Sequence, residues 1–207
     1  MNILVVNGHP DKESFSQAIY ETVVANLDFA QHQVETLELG HLHFDPVLRY
    51  GYRKRMPEDK FILQSQELIQ WADHFIFIYP IWWSGMPSLM KGWIDRTFTP
   101  GVAYSSNTEG NFIWNYLRGR QFRKLLKGRT ADIIATSMAP SWWYKLFSGW
   151  ISVPDSYGLA ALKSAVLNHC GIKTRRLMVL GNMGREACTE AKRKAFLNKV
   201  GVAVKKL

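Results

Sequence analysis

The feature that most restricts the fold is a repeated unit: a short, uninterrupted apolar run followed by a stretch with helical spacing. Residues 3–6 form the first run and residues 74–79, closed by Pro80, the second. A run with no polar alternation fits a strand covered on both faces, as in a parallel sheet between helices. Residues 131–136 and 176–181 complete the set of buried strands, and residues 33–39 alternate as a strand that is only half buried. Between them, helical spacing covers residues 14–27, with Ala18, Ile19, Thr22, Val23 and Leu27 available for one face. Further helices are predicted over 59–71, from Pro87 at its first-turn position to Phe98, over 159–170 and over 186–205. Strands separated by helices give a doubly wound α/β fold, a five-stranded parallel sheet with helices on both faces. By analogy with such sheets the strand order is 2-1-3-4-5.

The chain has 207 residues, enough for one domain over 1–207 and too few for two ordinary ones. With 47% hydrophobic and 21% charged residues it is globular rather than disordered. No apolar run reaches the roughly 18 residues of a membrane span. The start, Met1-Asn2-Ile3-Leu4, has no basic region and enters a strand at once, unlike a signal peptide. Cys170 and Cys188 are the only cysteines, too few for a disulfide framework and without metal-ligand spacing, so no metal is expected. A soluble cytoplasmic protein is the expectation. The net charge is +9, and six of the twelve residues 118–129 are basic, with a second cluster at Arg49, Arg53, Lys54 and Arg55. Such clusters are either solvated surface or a field that attracts an anionic ligand such as a dinucleotide. Nucleic acid is not expected, since no helix-turn-helix, zinc-finger or RNP pattern accompanies the charge.

In an open α/β sheet a ligand sits beyond the carboxyl ends of the strands, at the switch point between the first and third. The segments after strands one, three and four are also the most unusual in the chain. The first, Asn7-Gly8-His9-Pro10, leads through Ser14-Phe15-Ser16-Gln17 into a helix start, where free amides and the helix dipole favour an anion. Ser14 and Gln17 also fit a capping box. The second, Pro80-Ile81-Trp82-Trp83-Ser84-Gly85, offers indole faces to a planar ring and a glycine that lets backbone approach it. The third, Thr136-Ser137-Met138-Ala139, continues into Ser141-Trp142-Trp143-Tyr144 and combines hydroxyls with aromatic rings. Packing under the loops is the competing reading for the tryptophans.

The order of these motifs resembles the flavodoxin-like NAD(P)H dehydrogenases: quinone reductases of the DT-diaphorase type, and the quinone-reductase-like ancillary subunits of potassium efflux systems. The matching stretches are Gly8-His9-Pro10, Ser14-Phe15-Ser16, Trp71-Ala72-Asp73 through Pro80, Trp83 and Gly85-Met86-Pro87. Met90-Lys91-Gly92-Trp93-Ile94-Asp95-Arg96-Thr97-Phe98 and Gly101-Val102-Ala103-Tyr104 extend the match. The resemblance implies a bound flavin, with NAD(P)H as co-substrate and a hydride passed through flavin N5 to a quinone or similar small acceptor. It places His9, Ser14, Phe15 and Ser16 on the phosphate side, with Pro80, Ile81, Trp82, Trp83 and Ser84 along the isoalloxazine and their amides toward its polar edge. Thr136, Ser137, Met138 and Ala139 fall at the pyrimidine end, Tyr144 at the catalytic tyrosine, and Tyr104 in the acceptor pocket. Two departures stand out. Met138 and Ala139 replace a pair of glycines, and Trp150 stands where a histidine is found in the family.

FMN is expected over FAD, because no separate segment for an adenine is evident. Two long loops, 40–57 and 100–128, carry Phe44, Tyr50, Tyr52, Phe112, Trp114 and Tyr116, more aromatic surface than one small domain buries. A homodimer with each pocket completed by the other chain is therefore expected, in line with the resemblance. The same resemblance leaves two alternatives: an ancillary subunit in peripheral association with a membrane transporter, or a flavin electron carrier without nicotinamide turnover.

Overall fold

The computed structural model describes residues 1–51, 53–106, 122–143 and 157–207. Tyr52, Phe112, Trp114, Tyr116, Tyr144 and Trp150 lie outside the described residues, as do Arg118 and Arg120 of the second long loop.

Apolar runs with both faces covered produce a parallel sheet. Its strands are β1 (Asn2–Asn7), β2 (Gln33–Glu38), β3 (His74–Pro80), β6 (Thr130–Thr136) and β7 (Lys173–Leu180), in the order β2-β1-β3-β6-β7. Counted within the sheet this is the expected 2-1-3-4-5. Successive residues of a strand face opposite ways, so each central strand feeds two cores. Leu4, Val6, Phe75, Phe77, Tyr79, Ile133 and Ala135 point to one side, where α2 (Lys60–Trp71) and α3 (Ser88–Thr97) pack. A fourth helix, α4, built of Tyr157–Ala160, a π-helical Ala161–Leu167 and Asn168–Cys170, completes that layer. Ile3, Val5, Ile76, Ile78 and Ile134 point the other way, against α1 (Phe15–Asn26) and α5 (Glu190–Val204).

The helix starts differ from those expected by one residue in three helices and by four in the last, and the differences have local causes. Ser14, Asp59 and Thr189 have extended backbone and accept amide hydrogen bonds from the first turn, so each is a cap and its helix begins one residue later. The last helix therefore starts at Glu190 rather than at 186, and the Cys188 amide bonds Arg185 O in a turn before it. Pro87 is likewise the cap of α3 and Ser88 its first residue. The second long loop holds a short antiparallel pair, β4 (Tyr104–Ser106) and β5 (Phe122–Lys124). Three-residue strands carry no readable periodicity.

Part of the basic cluster is committed to the fold. Arg129 donates from Nε to Ala72 O at 2.7 Å and from Nη2 to Gln70 O, closing the C-terminus of α2. Lys124 Nζ does the same for α4 through Asn168 O at 2.7 Å. Among the described residues, no helix is long and apolar enough to cross a membrane.

Candidate functional site at the carboxyl edge of the sheet

The loop after β1 is built on Asn7, which is 1% exposed. Its Oδ1 accepts the His9 amide at 3.1 Å, and its Nδ2 donates to Gln17 Oε1 at 2.8 Å. Gln17 in turn donates to Glu38 Oε2 at 2.7 Å. The capping box is thus half formed: Ser14 Oγ takes the Gln17 amide at 3.2 Å, while the Gln17 side chain crosses to β1 and β2 instead of turning back. The amides of Phe15 and Ser16 have no partner among the described residues, as expected for the first turn of a helix.

His9 has a defined protonation. Its Nδ1 accepts the Asp11 amide at 3.0 Å, which leaves the ring proton on Nε2. Burial pushes the imidazole below its ordinary 6.5, against the opposing pull of Asp11. His9 is therefore a neutral N–H donor at pH 7. Its ring stands edge-on to Trp82, with centroids 5.3 Å apart and planes at 73°.

The loop after β3 is a tight turn. Trp82 N donates to Gly85 O and Gly85 N to Trp82 O, both at 2.9 Å. The two central residues, Trp83 at φ 48° and Ser84 at φ 53°, are both left-handed, the type I′ arrangement that asparagine and glycine normally occupy. For other residues the left-handed region costs about 1–2 kcal/mol each. Trp83 is 103% exposed, so burial of its indole does not offset that cost. The turn rests on α4: Tyr79 Oη donates to Gly158 O at 3.0 Å in a buried contact. A Cβ on Gly158 would lie 2.5 Å from Ile81 Cγ2 and 3.3 Å from the Ser84 carbonyl carbon.

Thr136 and Ser137 are buried at the end of β6, and Thr136 O accepts the Ile81 amide at 2.8 Å. Ser137 Oγ accepts the Ala139 amide at 3.0 Å, folding the chain back so that Met138 projects outward, 57% exposed. A segment that the sequence reading does not single out fixes this loop: Met183 N donates to Ser137 O at 2.9 Å and Asn182 N to Ala139 O at 3.1 Å. Asn182 is also left-handed, at φ 61°. Its signal in the sequence is Gly181-Asn182-Met183-Gly184 between a strand and a helix, a turn composition directly after the fifth sheet strand.

The structure thus gathers His9, Ser14, Phe15, Ser16, Pro80, Ile81, Trp82, Trp83, Ser84, Thr136, Ser137, Met138 and Ala139 at one edge of the sheet. Two corrections apply. The Ile81 and Trp82 amides are used inside the protein, by Thr136 O and Gly85 O, and cannot face a ring edge. Tyr104 is not at this edge within the protomer. It packs edge-on to His169 and Phe122, 5.2 and 5.7 Å between centroids, beside the end of α4 that leads into β7. Among the described residues no cluster of metal-ligating side chains occurs.

A doubly wound parallel sheet with an open helix start and an exposed aromatic turn at its switch point defines an α/β protein of the flavodoxin type. A family model described as a flavodoxin-like fold matches residues 1–202, and the chain belongs to that family. An uncharacterized NAD(P)H oxidoreductase of Haemophilus influenzae is 27% identical over 190 residues, 88% of this chain and 85% of the relative. The ribosyldihydronicotinamide dehydrogenase [quinone] of Mus musculus is 24% identical over 217 residues, 94% of this chain and 87% of the relative. The crystal structure of Smu.1420 from Streptococcus mutans UA159 is 35% identical, covers 100% of both chains and superposes with a TM-score of 0.81.

Proposed function

We propose that the chain is a flavin-dependent NAD(P)H oxidoreductase acting on a quinone or a similar flat acceptor. The observation that carries this reading is the left-handed Trp82–Gly85 turn, which sets Trp82 edge-on to the neutral His9 and leaves Trp83 fully exposed at its tip. Local strain of this kind persists where the surroundings enforce it, and it concentrates at ligand clamps. The oxidoreductase names of the relatives agree with it.

The residues present fit a flavin. The Phe15 and Ser16 amides and His9 Nε2–H are donors for a phosphate, and Trp82, Trp83 and Met138 are exposed apolar side chains available to a flat ring. Bound there, a flavin would supply two-electron chemistry between a reduced nicotinamide and the acceptor. The protein holds His9 as a neutral donor through the Asp11 amide, fixes the turn through Tyr79 and Gly158, and seats Ser137 under the 181–184 loop. Tyr144, outside the described residues, is assigned as a hydrogen-bond donor to the ring where negative charge grows. FMN is the proposed flavin, and a homodimer the proposed assembly, in which Tyr104 reaches the edge of the partner's site rather than its own.

Equilibrium dialysis against FMN and FAD tests the cofactor, with FMN bound at micromolar affinity or better as the expected result. No binding of either flavin refutes the reading. Tyr144→Phe should slow flavin bleaching by NADPH about ten- to hundredfold in rapid mixing, at nearly unchanged flavin affinity. Sedimentation at micromolar concentration should give a dimer.

A further inference from the structure

A separate cavity of about 450 Å³ opens between Leu48, Gly51 and residues 54–59 on one side and α2 and the C-terminal end of α3 on the other. None of the residues of the carboxyl-edge loops lines it. The segment that roofs it is anchored: Gly92 on α3 packs directly against Pro46, where a Cβ would leave no room.

Arg96 lines this cavity and is itself 6% exposed. Its guanidinium carries five N–H donors. Among the described residues it makes one side-chain hydrogen bond, from Nη1 to Asp45 O at 2.6 Å, and no carboxylate pairs with it. A buried charge is expensive unless an anion or several acceptors compensate it. The nearby acids are engaged elsewhere. Asp45 is held below its ordinary carboxyl value first by the Val47 amide and the Arg49 hydrogen bond, with the charge of Arg96 last among the causes. Glu58 pairs with Arg55 at 3.0 Å, and Asp59 accepts the Phe61 and Ile62 amides at the cap of α2. Lys54, another lining residue, lies over the Tyr50 ring at 5.1 Å and likewise has no carboxylate partner among the described residues. Arg55, Glu58, Asp59, Gln66 and Thr99 also line the cavity, and Leu48, Ile62, Leu63 and Val102 supply an apolar part of its wall.

We propose that this cavity is a binding site for a small amphipathic organic anion, an aromatic or short aliphatic body bearing one carboxylate or sulfonate. The anionic end sits on Arg96 with Lys54 beside it, and the body lies against Ile62, Leu63 and Val102. The volume lies within the roughly 300–1,000 Å³ of small-molecule sites. The inference is independent of the flavin reading, because it shares no residue with the carboxyl edge.

The test is a fluorescence titration of the protein, without and then with added FMN, using anilinonaphthalene sulfonate, an aromatic anion that brightens in apolar surroundings. Saturable binding is expected, with the neutral N-phenylnaphthylamine binding at least about tenfold more weakly, the effect of one charge-assisted hydrogen bond. Arg96→Met should weaken the sulfonate by a similar factor. Since Arg96 also ties down Asp45, that variant alone does not decide the matter. Lys54→Glu and Leu63→Trp, at exposed positions, should each weaken the sulfonate without loss of folding. The proposal is overturned if the parent shows no saturable binding, if the neutral probe binds equally well, or if the folded variants bind like the parent. Displacement of the probe by added flavin also overturns it, since the probe would then occupy the carboxyl edge.

Discussion

Gly158→Ala probes the support of the strained turn. An added Cβ would stand 2.5 Å from Ile81 Cγ2, 3.3 Å from Ser84 C and 3.4 Å from Gly85 N. Ile81 is 8% exposed and β-branched, so its methyl has nowhere to rotate, and the other two atoms are backbone. Overpacking of this kind costs about 1–3 kcal/mol. Alanine is the better helix former by about 1 kcal/mol, but position 158 lies in the first turn of α4, where the gain is smaller. A net loss of about 1–2 kcal/mol is expected in urea unfolding of the apoprotein. The clash can also be relieved by moving the turn away from α4, and that route appears in ligand binding: FMN affinity should fall by about tenfold or more, with 1.4 kcal/mol corresponding to tenfold. Ile81→Ala removes the clashing methyl at its own cavity cost, so the double variant should be less than additive. Unchanged stability and unchanged FMN affinity in Gly158→Ala would refute the claim that this contact sets the turn.

Three further outcomes follow from other parts of the structure. Asp132 Oδ2 is buried between Arg176 Nη1 at 3.0 Å and His74 Nε2 at 3.5 Å, so Asp132→Asn should cost about 2–3 kcal/mol in chemical denaturation at pH 7, reduced from the fully buried case because the Arg176 side chain is 24% exposed. His9 is held neutral by burial: below 6.5 the unfolded chain takes up a proton that the native ring resists, so stability falls as pH drops through this range, and His9→Gln should flatten that slope in urea midpoints measured between pH 7 and pH 5. Burial raises the Cys170 thiol to about 11 despite Lys124, so its alkylation by iodoacetamide at pH 8 should be far slower in the native than in the unfolded protein, as mass spectrometry of the labelled peptide would record.

The strands were legible because each follows from a pattern of several residues, whereas their order came by analogy with doubly wound sheets. Short runs such as residues 74–79, closed by a proline, suit a central strand, and a doubly wound sheet brings the ends of β1, β3 and β6 to one edge. Interactions between segments distant in sequence left no such pattern. Gln17 looked like a capping partner three residues from Ser14, yet its amide completes a bridge from Asn7 to Glu38, which exists only once β1 and β2 are paired. Arg129 and Lys124 read as part of a charged stripe, and only the tertiary fold brings the open carbonyls of α2 and α4 to them. Spacing likewise does not show that the Tyr104 hairpin packs against the C-terminal end of α4, where His169 lies.

The aromatic turn links the two levels. A Trp-Trp-Ser-Gly stretch is compatible with a packed anchor or with an open platform, and composition cannot separate them. The hydrogen-bonded closure from Trp82 to Gly85 does, since a two-residue turn has no room to fold an indole beneath itself. Trp82 leans on His9, whereas Trp83 is left in solvent at the tip. Two left-handed non-glycine residues cost about 2–4 kcal/mol together, a large share of the margin of a typical domain. Glycine or asparagine there would remove most of that cost. The strain is therefore a property of the residues chosen for the tip, and it is sustained by the contacts below it, from Tyr79, Ile81 and Gly158.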